Sequence, residues 1–164
     1  MLGNTTDEKI LMAIPHRTPF LFVSKIESVN AEEKKIICSH QFEISDVFFA
    51  GHFPGNPVLP GVIMQEGLMQ TAGVFLSQIP IHQQLEKSKD NNPPQLMVAS
   101  RINLVKFKKL VNPPAKIFYH VELIDHLSNT FVFKGKCYFQ EQLVMSSEFS
   151  CSTINQTIDQ KNPS

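Results

Sequence analysis

The run PGVIMQEGLMQTAGVFLSQIP, Pro60 to Pro80, decides the fold. Pro60-Gly61 opens it and Pro80 closes it, with no proline between, so Val62 to Ile79 is predicted as one helix. Its apolar residues, Val62, Ile63, Met64, Leu68, Met69, Ala72, Val74, Phe75 and Leu76, cover most of the circumference. A helix apolar nearly all round is a buried one. Working outward, residues 7–13 read as a short helix stopped by Pro15. The stretches Phe20–Val29 and Lys35–Ile44, rich in β-branched and aromatic residues, read as a hairpin turning at Asn30. Phe48–Pro60 is punctuated by Gly and Pro and is predicted to hold no regular structure. Residues 80–95 form a polar surface loop. Four strand-like runs follow: Leu96–Leu110, Ala115–Asp125, Thr130–Gln140 and Leu143–Thr153. Turns are expected at Asn112-Pro-Pro, Ser128-Asn129 and Glu141-Gln142. The expectation is an α+β fold, an antiparallel sheet wrapped around one long central helix. It forms a single domain over residues 1–154, with a polar, disordered tail at 155–164.

The chain has 164 residues, 42% of them hydrophobic, and 15 basic side chains balance 15 acidic ones. That length suits one domain with a proper core. A neutral balance argues against a surface built throughout for nucleic acid or anionic membrane. Charged residues make up 18% and Phe numbers 13, the opposite of a disordered composition. No apolar run reaches the ~18 residues that span a bilayer. The start, Met1-Leu-Gly-Asn-Thr-Thr-Asp-Glu, has no basic-then-apolar leader, so a cytoplasmic location is expected. Cys38, Cys137 and Cys151 are odd in number and widely spaced, and read as reduced thiols rather than a disulfide frame or zinc site.

Charge is unevenly spread. Between Asp46 and His82 only two side chains titrate, His52 and Glu66. A lone carboxylate inside a buried helix is costly to ionise, which favours the protonated form that a general acid needs. His52, in the Gly/Pro-rich loop before the helix, is suited to act as a base near neutral pH. Gly61 at the helix N-terminus offers a free N–H and the positive end of the helix dipole to a carbonyl becoming an enolate. Base, acid and oxyanion donor together fit α-proton abstraction beside a carbonyl. The same residues also fit a plainer reading, a Glu bound to a backbone group and a loop His acting as a structural hydrogen bonder.

The segment GHFPGNPVLPGV (Gly51–Val62), followed by Glu66, closely resembles the β-hydroxyacyl-acyl carrier protein dehydratases of the FabZ type. IPHRTPFLFV (Ile14–Val23) is similar to that family's N-terminal signature, and the likeness extends over about residues 8–153. The resemblance implies a hot-dog fold, a homodimer with active sites at its interface, and often a trimer of dimers. It places the catalytic His on His52, the catalytic acid on Glu66 and the carbonyl-polarising N–H on Gly61. His52 and Glu66 of one site would come from different protomers. The implied reaction removes water from a (3R)-3-hydroxyacyl thioester on acyl carrier protein, giving the trans-2-enoyl thioester for fatty-acid biosynthesis. His52 takes the C2 proton while Glu66 protonates the departing hydroxyl. No metal or organic cofactor is implied, since the thioester itself acidifies C2. Departures from the family pattern stand at Ser24 (usually Asp), Arg101-Ile102-Asn103 (usually Gly-Ile-Asp), Pro113-Pro114-Ala115 (usually Pro-Gly-Asp) and Gly67 (usually Ala). They leave open a specialised paralogue in a related acyl or polyketide pathway.

Beyond the motif, Phe48, Phe49 and Phe53 flank His52 and, with Pro54, Gly55 and Val62, are candidates to contact an acyl chain, unless they are ordinary core. Residues 91–121 contain no acid but hold Arg101, Lys106, Lys108, Lys109 and Lys116. This run either docks the acidic carrier protein or guards strand edges. His120, Glu122, Asp125 and His126 suggest metal ligands only superficially, and a solvated strand face is the expected outcome. His16-Arg17 reads as structural. Alternatives to the dehydratase are a hot-dog acyl thioesterase and a noncatalytic acyl-binding subunit.

Overall fold

The computed structural model describes residues 6–79 and 95–155. A short helix α1 (Glu8–Ala13) is capped by the Asp7 side chain, which accepts from the Lys9 N–H at 3.0 Å. It ends before Pro15, whose ring excludes helical geometry from the residue ahead of it. The strands are β1 (Lys25–Asn30), β2 (Lys35–Phe42), β3 (Gln95–Phe107), β4 (Ala115–Leu127), β5 (Thr130–Phe139) and β6 (Gln142–Asn155). They form one six-stranded sheet in the order β1-β2-β4-β5-β6-β3, with every neighbouring pair antiparallel. The sheet curls around α2 (Gly61–Ser77), which contacts β2, β3, β4, β5 and β6. This is the hot-dog arrangement that the sequence implies.

Alternation sets which face meets the helix. Ala115, Ile117, Tyr119, Val121 and Leu123 of β4 are buried, as are Phe131, Phe133 and Cys137 of β5. Burying these side chains removes roughly 1.5–3 kcal/mol of apolar exposure each, and that drives the sheet onto the helix. Within α2 eleven of seventeen residues are buried. The side left more open carries Val62, Glu66 and Met69, spaced to share one helix face.

Several boundaries differ from the sequence-based expectation. β1 starts at Lys25, not Phe20, because the Phe20–Ser24 backbone is bonded elsewhere. Phe22 N–H and Phe20 C=O are both taken by the Gln70 side chain of α2, at 2.8 and 3.0 Å. The 48–60 stretch is not wholly irregular, since Val47–Ala50 form one 3₁₀ turn. β3 stops at Phe107, where Lys108 and Lys109 N–H both turn to Val144 C=O. β6 runs on to Asn155, which pairs with Gln95, so the first residue assigned to the tail belongs to the sheet. The rest of that tail, and the loop expected at 80–95 apart from Gln95 itself, lie outside the described residues. The edge strand β3 is bulged twice and leaves Ile102 49% and Leu104 46% exposed. Among the described residues, no helix is long and apolar enough to cross a membrane.

Candidate active site

The loop carrying His52 is closed on itself. Val58 N–H donates to His52 C=O at 2.9 Å, and His52 Nδ1 lies 2.8 Å from Val58 C=O. A carbonyl only accepts, so Nδ1 carries a proton, and Nε2 is the ring nitrogen left to accept in the neutral imidazole. The Phe53 ring stacks on the imidazole with centroids 4.1 Å apart. The turn between them needs Gly55, which sits at φ +75°, where a side chain would be strained. Beyond the turn, Leu59 N–H donates to Val111 C=O at 2.7 Å and the Asn112 side chain donates to Pro57 C=O at 2.7 Å. The loop is thereby anchored to the segment leading into β4, and it delivers the chain to Gly61 at the start of α2.

At that start, the Ile63 and Met64 N–H groups donate back to Pro60 C=O, while those of Gly61 and Val62 precede any intrahelical partner. The Phe107 ring at the end of β3 packs close against Gly61, so a side chain there would have to displace that half-exposed ring.

Glu66 lies five residues further on, about 7.5 Å along the axis. Its side chain is 19% exposed, and Oε1 accepts from Gln70 Nε2 at 3.0 Å. Gln70 thus ties three groups together: Phe20 C=O, Phe22 N–H and the Glu66 carboxylate. Glu66 and Gln70 line a cavity of about 670 Å³ with His16 and Arg17 at its polar end. Its apolar part is formed by Leu11, Ile14, Leu76, Met97 and Val98. His52 is not among the residues lining this cavity, so within one chain Glu66 and His52 do not share it.

The remaining candidates divide. Phe49, Phe53, Pro54 and Gly55 share a shallow depression of about 430 Å³. Phe48 turns the other way, into an aromatic cluster with Phe22, Phe42 and Phe49. Val62 is 70% exposed on the open side of α2. The five cations do not form one patch. Arg101 and Lys106 lie on β3, and Lys108 and Lys109 follow it, with Lys109 Nζ donating to Gln142. Lys116 is on β4, three strands or roughly 14 Å away, and is bound to Glu27 at 3.1 Å. His120 packs against the Tyr138 ring and His126 against Phe131. Among the described residues, no three His, Cys, Asp or Glu side chains converge on a possible metal.

One participant escaped the sequence reading: His16 Nε2 stands 3.5 Å from Glu66 Oε1. Fifty positions separate them, and no local pattern marks the pair. The signal available was only that His16 sits inside the same N-terminal signature that resembles the family.

Comparison with known proteins sharpens this geometry. Residues 14–148 match the family model of the FabA-like domain. The 3-hydroxyacyl-[acyl-carrier-protein] dehydratase FabZ of Petrotoga mobilis is 35% identical over 141 residues, 86% of this chain and 92% of that protein. The chain belongs to the FabZ dehydratase family. The corresponding FabZ of a Nitratiruptor species is 34% identical over 94% of this chain and 99% of its own. Among solved structures, the dehydratase heterocomplex ApeI:P from Xenorhabdus doucetiae superposes with a TM-score of 0.71 at 15% identity, covering 90% of this chain and 92% of that one. A hypothetical thioesterase with coenzyme A from Streptococcus pneumoniae reaches 0.55 at 11% identity, covering 91% and 94%. At those identities the structures share the fold alone, and it is the FabZ sequences that place this chain among dehydratases.

Proposed function

We propose that this FabZ dehydratase converts (3R)-3-hydroxyacyl thioesters on acyl carrier protein into trans-2-enoyl thioesters, in the cytoplasm, as a single-domain chain that works as a homodimer. The thioester carbonyl accepts from the Gly61 N–H, which stabilises negative charge as C2 loses its proton to His52 Nε2. The C2–H electron pair becomes the C2=C3 bond. The C3–O bond breaks as protonated Glu66 gives its proton to the departing oxygen, and water leaves. The proton on His52 then returns to Glu66 to reset the pair.

The observation that carries this reading is the His52 ring. Its Nδ1–H is committed to Val58 C=O, which orients the ring and leaves Nε2 as the nitrogen that can take a proton. That Glu66 and His52 occupy separate places in one chain supports a site completed by a second copy. The exposed apolar side chains of the β3 edge supply a surface for that contact. The three free, buried cysteines fit a reducing compartment.

The test is hydration of an enoyl-acyl carrier protein, with free thiol followed in parallel. His52→Ala and Glu66→Gln should each remove hydration by roughly a hundredfold or more, with no thiol released. Thiol release in place of hydration would move the assignment to a thioesterase, and inertness in both would leave an acyl-binding subunit.

A further inference from the structure

Glu66 is held at one oxygen only. Gln70 donates to Oε1 from one side, and His16 Nε2 faces the same atom from the other at 3.5 Å. Among the described residues no group bonds Oε2, and the carboxyl therefore has a fixed end and a working end. His16 is itself placed with care. The Arg17 guanidinium donates to Ile14 C=O at 2.9 Å, to His16 C=O at 2.6 Å and to Leu11 C=O at 2.9 Å, locking the turn after α1. Phe20 N–H closes that turn onto Arg17 C=O at 2.8 Å, and the Phe20 ring lies nearly parallel to the imidazole, 6.4 Å away. His16 Nδ1 is buried without a partner. A bare acceptor is cheaper to bury than an unpaired N–H, so the proton belongs on Nε2, pointing at Glu66.

We propose that His16 is a positioning residue for Glu66: with Gln70 it clamps Oε1, so that Oε2 is presented to the substrate hydroxyl. At 3.5 Å the contact is long for a hydrogen bond, as contacts within a site often are before substrate binds. This rests on the reading of Glu66 as the acid and adds to it a second support, drawn from a different part of the chain. Gln70 comes from the same helix as Glu66 and moves with it. His16 comes from the loop after α1, so it fixes the carboxyl relative to the cavity wall.

The experiment compares His16→Leu, His16→Gln and His16→Asn in the wild-type and Glu66→Asp backgrounds, reading kcat and KM for enoyl thioester hydration alongside thermal melting. His16→Leu should lower kcat roughly ten- to a hundredfold with KM little changed. His16→Gln, whose amide can reach Glu66, should recover most of that loss, and the shorter His16→Asn should not. In Glu66→Asp the carboxyl is already withdrawn by one methylene, so adding His16→Leu should cost less than about threefold. Full activity of His16→Leu, an equal loss in both backgrounds, or equal behaviour of the Gln and Asn variants would overturn the proposal. If His16→Leu fails to fold, the Gln–Asn comparison still decides. Full activity of Glu66→Gln would instead remove the assignment of Glu66 as the acid.

Discussion

Replacing Gly67 with alanine tests how closely the helix is pressed onto the sheet. A Cβ at this position would fall 2.4 Å from Cζ of Tyr119 and 2.5 Å from its Cε1 and Oη. Tyr119 is fully buried at the centre of β4, so its ring has nowhere to swing. Forcing a methyl into a packed core costs about 1–3 kcal/mol, while Gly→Ala within a helix returns about 1 kcal/mol in propensity. With three contacts far inside van der Waals distance, the steric side prevails, and a net loss of about 1–2 kcal/mol is expected. For a chain of this size that lowers Tm by roughly 2–8 °C. The Tyr119 hydroxyl sharpens the test, because it is buried with no hydrogen-bond partner, and burial pushes its pKa well above the usual tyrosine value. Tyr119→Phe should therefore be neutral or stabilising by about 1 kcal/mol, unlike most core substitutions. Tyr119→Phe removes the Oη contact but leaves Cζ and Cε1 in place, so in the double variant the cost of Gly67→Ala should be reduced but not abolished. Urea unfolding at fixed protein concentration, with m unchanged, measures all three. A Gly67→Ala protein as stable as wild type would refute the claim of close packing. A Tyr119→Phe protein destabilised by more than about 1 kcal/mol would show that the hydroxyl is bonded after all.

Mixing His52→Ala chains with Glu66→Gln chains, then letting subunits exchange, should restore about a quarter of wild-type activity if each site draws its base and acid from different copies. A site contained within one chain would recover none. Gln70→Leu should lower kcat and also destabilise the fold by about 2 kcal/mol or more in urea, because the buried Phe22 N–H loses its acceptor. Burial works against the charge on Glu27, yet hydrogen bonds from Lys25, Ser39 and Lys116 outweigh it and hold the group at about 2, below its ordinary 4.5. A depressed carboxylate stabilises above pH 4.5 and loses that contribution as pH falls through about 2, so Glu27→Gln should flatten the stability curve across this window.

The parts of the fold legible in the sequence are those set by local periodicity. The apolar circumference of Val62–Ile79 and the alternation in 115–125 and 130–140 follow from one element burying its own side chains. The elements that ran differently are set by partners distant in the chain. Phe20–Val23 has strand-forming residues, but the amide of Gln70 occupies its backbone. Phe48, in the 3₁₀ turn at Val47–Ala50, carries the same residue type as Phe53, yet one packs against the core and the other stacks on His52. The site divides along the same line. His52, Gly61 and Glu66 fall within fifteen positions and share a recognisable motif. The cavity beside Glu66 is walled by the loop after α1 and by β3, segments that approach it only once the sheet has closed.

That closure explains why Glu66 and His52 can each be held in place yet apart. A sheet wrapped around α2 must cover nearly all of the helix to bury its apolar circumference, and a fully covered helix could present no functional group. The chain resolves this by leaving more open the one side that carries Val62, Glu66 and Met69, where the partly exposed Glu66 carboxyl is bonded by Gln70 and faced by His16. His52 is supported independently, through the backbone of its own loop at Val58. Neither support passes through the other residue. In the proposed homodimer, assembly would not need to mould either group and would have only to bring two preset halves together. A substitution on the β3 edge, such as Ile102→Lys, should accordingly lower activity in step with dimer dissociation while leaving the His52 loop and the Glu66 clamp intact.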